Sequence, residues 1–355
     1  MYRVRALAAS AVLLLVCGAA RADQPSPALA KIIEAAKKES RLNLEWGGGI
    51  LGGADALKLM ADQINATYGT NIAIRFTPGT SLPEIVNQVV LANASGSPSP
   101  TDAVIGSEQH AAELADKGVS MPVDWVSLLP GRIDPSSVEA EGRAIRVFTT
   151  MPGGIIYNTK LAPSVPTKLT DLLKPEWKGK IGSTPYAGSW ELLTASDVWG
   201  DRGVDFAREL SPQLAGLIRC ADLERVASGE FIGFAMDCTG REWVQYQRVG
   251  APLAHVIPED FAALRYYYFS IPKNAAAPNA AILFVVFLET PEGQQLVWKY
   301  ANTDLNTYPQ SQIEPEIEAA EKRGIQFHNF TIQWHRDHPE GQVGLAKAIK
   351  LLSGR

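Results

Sequence analysis

Apolar residues recur at helical spacing in the first patterned stretch. Leu29, Ile32, Ile33 and Ala36 lie three and four apart, which predicts a helix over 27–39 with one buried face. Residues 41–46 then alternate apolar and polar and predict a strand. A turn of Gly47-Gly48-Gly49-Ile50-Leu51-Gly52-Gly53 leads into a helix over about 54–68, and a second strand covers 72–76. Ser81 stands three residues before Glu84, a capping-box pattern that marks a helix start. A turn-rich loop over 93–100 precedes a short buried strand, 103–105, which ends at Gly106-Ser107-Glu108. These three strand ends are expected to line up on one side of an α/β sheet, where open sheets of this class bind ligands.

Further along, FTTMPGGIIYNTKLAPSVPTKLTDLLKPEWKGKI (148–181) is a β-rich run interrupted by Pro152-Gly153-Gly154. Proline cannot donate to a central ladder and paired glycines let the backbone bend, so the run reads as a strand in two halves leaving one lobe for another. Past it, 180–183 is a strand end, Tyr186-Ala187-Gly188-Ser189-Trp190 opens a helix, and the apolar strand 231–236 ends at Asp237-Cys238-Thr239-Gly240-Arg241. Residues 222–228 read as helical, as does the tail over about 342–352.

The crossover ending in Tyr157-Asn158-Thr159, then Asp171-Leu172-Leu173, Pro175-Glu176-Trp177 and Lys178-Gly179-Lys180-Ile181, resembles the periplasmic solute-binding proteins of ABC importers. The resemblance is to the two-lobed branch that includes ferric-iron, polyamine, thiamine and phosphonate binders. Pro278-Asn279-Ala280-Ala281, a hydrophobic run to Leu288 and Pro291-Glu292-Gly293-Gln294 carry a second signature, and the order of the two extends the resemblance across nearly the whole mature chain. It implies an α/β fold of two Rossmann-like lobes joined by crossover strands, the type II periplasmic binding fold. The first lobe is expected at 23–148 plus 266–303 and the second at 154–262 plus 304–355, the tail being assigned by resemblance. It also implies a small-molecule ligand held between lobes that close on a hinge, delivery to an inner-membrane ABC permease, and no cofactor. A sensor subunit that presents its ligand to a receptor is compatible with the same fold.

Composition narrows the setting. Arg3 and Arg5, an apolar run over 6–16 and Ala20-Arg21-Ala22 form a secretory signal peptide over 1–22 with an A-x-A cleavage site, which implies a periplasmic protein. Its removal takes three Arg and no acid, so the net charge of −5 becomes −8, a poor balance for nucleic acid. The size suits a monomer. Two cysteines remain, Cys220 and Cys238, which fit one disulfide in an oxidising compartment, with two buried free thiols as the alternative. No G-x-S-x-G, H-E-x-x-H or P-loop motif suggests an enzyme, and His328, His335 and His338 near Asp337 lack the motif that would complete a metal site. Gly47, Gly49 and Gly52 match G-x-G-x-x-G, but Thr77-Pro78-Gly79 stands where a ribose-binding acid belongs.

Strand ends and helix starts therefore define the expected cleft. Trp46, Gly48, Gly49, Thr80, Ser81 and Ser107 form one wall, and Tyr186, Ser189, Trp190, Asp237, Thr239 and Arg241 the other. Free N–H groups at helix starts suit an anion or carbonyl, and Arg241 offers a fixed fork that matches a carboxylate or phosphonate. A tight turn, a solvated charge and, for Trp190, a place in the core are the plain alternatives. Ferric-iron members of the family carry adjacent tyrosines after the strand that here ends at Met236. This chain has Asp237 and Cys238 there, and alternation splits Tyr266 and Tyr268 from Tyr267. The reading is a small anionic organic or oxyanion solute, with ferric iron or another cation as the alternative.

Overall fold

The computed structural model describes residues 24–184 and 188–354, so the expected signal peptide and Tyr186 lie outside the described residues. The opening helix α1 (Pro27–Ala36) starts where Ser26 Oγ accepts from Leu29 N, and it buries Leu29, Ile33 and Ala36. Strand β1 (Arg41–Trp46) pairs in parallel with β2 (Ala73–Pro78), in register from Arg41 opposite Ala73 to Trp46 opposite Pro78. Helix α2 (Gly53–Tyr68) connects them and ends at Gly69 in the left-handed region. Helices α3 (Leu82–Ala94) and α4 (Glu108–Asp116) flank β3 (Val104–Gly106), which touches β1 through the bridge Leu44–Ala103.

Two further strands, β4 (Val138–Glu139) and β5 (Ala144–Thr150), precede the crossover. The second sheet holds β6 (Ile155–Asn158), β7 (Ile181–Ser183), β8 (Leu214–Leu217), β9 (Gly233–Ala235) and β10 (Leu253–Val256), in the order β10-β6-β9-β7-β8. The chain returns along β11 (Ala263–Ser270), which pairs antiparallel with β5 and β3, while β12 (His328–Phe330) pairs with its first three residues. The strands thus form three sheets, β1-β2, β10-β6-β9-β7-β8 and β12-β11-β5-β4 with β3 on β11; none closes into a barrel, and the fold is α/β.

Two main cores hold the fold. Leu42, Leu44, Trp46, Leu57, Phe269 and the apolar helix Pro278–Leu288 fill the first; Trp177, Trp190, Leu193, Phe206 and Met236 fill the second. The tail serves both sides. Ile313, Ile317 and Ile332 pack with Tyr266 and Tyr268, whereas Ala348 and Leu352 join the second core. Cys220 and Cys238 form a disulfide, with Cα atoms 5.9 Å apart.

The crossover shows why two glycines stand together. Gly153 has φ +87° and a Cβ there would overlap the Phe261 ring, while a Cβ at Gly154 would overlap His255 Nε2. His255 Nε2 in turn lies 3.0 Å from Asp237 Oδ2, and Asp237 Oδ1 accepts from Gly154 N. The kink is thus bolted to the end of β9.

Candidate functional site

The carboxyl ends of β1, β2 and β3 lie side by side, as the strand order requires. Gly79 N donates to Trp46 O at 3.1 Å, Thr80 Oγ1 donates to Glu45 Oε1 at 2.5 Å, and Gly48 approaches Pro78. Gly48 and Gly49 are exposed, and their N–H groups have no acceptor among the described residues. Leu51, Gly52 and Gly53 all have positive φ, and a Cβ at Gly52 would meet the Tyr300 ring at 2.6 Å. The glycine pattern is therefore that of a tight turn packed on the helix Pro291–Ala301. Ser81 is the N-cap of α3, but its side chain does not bond the helix, so the capping box anticipated with Glu84 does not form. Ser107 caps α4 and shares its hydroxyl with His110 Nδ1 at 3.0 Å. Burial drives the His110 imidazole down to about 4, which keeps it neutral.

Three side chains anticipated at the cleft are turned elsewhere. Trp46 is wholly buried against Phe76 and Phe269, with its indole N–H donating to Ile50 O. Trp190 is wholly buried against Phe206. Both rings pack because a large apolar surface gains more from a core than from a wet cleft. Arg241 donates from Nε to Asn302 O and from Nη1 to Glu316 Oε2, each at 2.6 Å, and its guanidinium lies over Trp298. Glu242 receives Thr239 N and Arg241 N, so the helix start after β9 has its own carboxylate, and Ser189 Oγ donates to Asp237 O. Burial and the nearby Asp237 charge push the Glu242 carboxyl up to about 7.

Sequence reading missed a charged group between α4 and the returning strand β11. Arg265 on β11 donates from Nε to Glu108 Oε2 at 2.8 Å, with Nη2 2.7 Å from Oε1. Both side chains are buried, and Gly188, just before the helix Ser189–Leu193, lies against Nη1. Burial raises the Glu108 carboxyl despite the opposing charge of Arg265. Nearby, His335 Nδ1 lies 3.0 Å from Glu191 Oε1; burial works against the charge on each, yet their bond holds Glu191 below and His335 above the ordinary value. A lone Arg inside Phe261-Ala262-Ala263-Leu264-Arg265-Tyr266 was the available signal, since a charge in an apolar strand needs a buried partner. Tyr266 and Tyr268 share one face, 6.5 Å apart, and Tyr267 stacks on Phe148 on the other. Among the described residues no group of three His, Cys, Asp or Glu is placed to hold a metal ion.

Comparison with known proteins places this geometry. A substrate-binding protein of an ABC transporter from Agrobacterium tumefaciens superposes with TM-score 0.72 at 15% identity, covering 93% of this chain and 98% of that one. Iron-bound HitA from Pseudomonas aeruginosa gives 0.65 at 16%, covering 88% and 99%. These likenesses fix the type II periplasmic binding fold. The Fe(3+)-binding periplasmic protein of Serratia marcescens is 27% identical over 142 residues, 39% of this chain and 40% of that protein. The chain thus spans about two fifths of the length of the curated relatives it matches. The family model for bacterial extracellular solute-binding proteins matches residues 60–324, from within α2 through both crossings to the tail, and the chain belongs to that family.

Proposed function

We propose that this protein is the periplasmic substrate-binding component of an ABC importer, exported by its signal peptide, and that it delivers its solute to an inner-membrane permease. The lobes, 23–148 with 266–303 and 154–262 with 304–355, close on a small anionic organic or oxyanion solute by bending at the crossovers. The observation that carries the ligand class is the exposed N–H pair of Gly48 and Gly49, which donates to no described residue and follows β1 next to Pro78 at the end of β2, a favourable setting for negative charge. Arg241, engaged with Glu316, is not part of this reading.

Native mass spectrometry of protein expressed with its own signal tests the proposal by reporting what co-purifies. A thermal-shift panel follows, because a ligand at a hundredfold its dissociation constant adds about 2.7 kcal/mol. Stabilisation by carboxylates or phosphonates supports the anion reading. The partial match to an Fe(3+)-binding protein keeps ferric salts in the panel, and stabilisation by them alone replaces the anion with the metal.

A further inference from the structure

We infer that Arg265 is the residue that anchors the anionic group of the solute, presenting to it the edge of the guanidinium that Glu108 leaves open. The inference rests on the interlobe capture of an anion proposed above. A guanidinium has two faces for a bidentate acceptor, the side formed by Nε and Nη2 and the end formed by Nη1 and Nη2. Glu108 takes the first, through Nε to Oε2 at 2.8 Å and Nη2 to Oε1 at 2.7 Å. Nη1 donates to no acceptor among the described residues and lies against Gly188, where a Cβ would overlap it.

The surroundings suit an anchor. Arg265 is only 9% exposed and Glu108 is wholly buried, so the fork is held in one orientation before any solute arrives. The groups around it come from different parts of the fold: Glu108 from α4 beside the first sheet, Arg265 from the returning crossover strand, and Gly188 from the start of the helix Ser189–Leu193 in the second core. Separating the two lobes would uncover the open edge and closing them would bury it again, which is the geometry a captured carboxylate or phosphonate needs. Tyr267, next on the same face of β11, is half-buried and stacked on Phe148, and provides an apolar neighbour.

Two variants separate anchoring from folding. Gly188→Ala retains both charges and an ordinary helical backbone, but its Cβ would fall 2.4 Å from Nη1, so the guanidinium must give way on that side. The double variant Arg265→Gln with Glu108→Gln removes both charges, so neither is left buried and unpaired. The probes are succinate, glutamate, methylphosphonate and inorganic phosphate, with putrescine and glucose as controls, read by thermal shift and then calorimetry. The expected result is that at least one anion binds the wild type and that both variants lose tenfold or more in its affinity, with Gly188→Ala still folding cooperatively. If the double variant does not fold, Gly188→Ala decides alone. An anion bound equally well by wild type and Gly188→Ala overturns the anchor while leaving the anion reading in place. A wild type stabilised only by putrescine or glucose, or by none of the anions, overturns both.

Discussion

Arg241 and Glu316 form an ion pair across 75 positions of sequence, Nη1 to Oε2 at 2.6 Å, with Arg241 almost wholly buried and Glu316 partly exposed. The pair ties the helix start after β9 to the helix Glu314–Lys322, and Nε extends the tie to Asn302 O. Arg241→Ala is therefore expected to lower stability by about 1–3 kcal/mol, the half-exposed pair counting for less than the bond to the carbonyl. Solute affinity should stay unchanged. Urea unfolding with calorimetry checks this, and lost affinity at full stability would return Arg241 to the cleft.

The Cys220–Cys238 bond closes a loop of 18 positions next to Asp237, whose carboxylate holds Gly154. Removing it by Cys220→Ser with Cys238→Ser should cost about 3 kcal/mol on the chain-entropy account. The measurement is the unfolding midpoint of oxidised protein against the double variant. Equal midpoints would mean the bond constrains nothing in the unfolded chain.

Substitutions at the kink should act through packing. Gly153→Ala and Gly154→Ala would each drive a Cβ into a packed ring, Phe261 or His255, and Gly153 adds a left-handed backbone. Each is expected to cost about 1–3 kcal/mol, as overpacked cores do. A pair of valines there would consequently unsettle the fold as well as the bend. Chemical denaturation of the single variants reads the effect, and wild-type midpoints would show that Phe261 and His255 give way.

Glu242 provides a pH signature. Its carboxyl is raised to about 7 in the fold, so between the unfolded value of 4.5 and about 7 the native state holds a proton that the unfolded state has lost. The resulting stability is complete below 4.5 and is lost as pH rises through 7, with a slope of at most about 1.4 kcal/mol per pH unit. His110, lowered to about 4, has the opposite slope between 4 and 6.5. The comparison of wild type with Glu242→Gln isolates the first effect: the variant should lose less stability between pH 5 and 8. Parallel profiles would mean that Glu242 titrates normally.

Much of the fold was legible locally. The alternation of 41–46 is the burial pattern of β1, the spacing of Leu29, Ile33 and Ala36 is the inner face of α1, and the split of Tyr266 and Tyr268 from Tyr267 follows from the two-residue period of a strand. Strand ends and helix starts at Gly48, Ser81 and Ser107 were placed for the same reason. Each depends on neighbours within a few residues, which a sequence displays directly.

What side chains do at those places was a different matter. Whether Trp46 and Trp190 face a cleft or a core depends on what packs above them, and Phe269 and Phe206 supply the answer from elsewhere in the chain. Arg265 and Glu108 meet across 157 positions, and no local pattern marks either as the partner of the other. The sequence by itself determined the order of strands and helices and the family signatures, because these are set by short-range periodicity and composition. Only the tertiary structure decided which charges neutralise each other, joining Arg241 to Glu316 and Arg265 to Glu108. A buried charge must find its counter-ion wherever the fold brings one, and that choice is made by the assembled core and not by the neighbouring residues.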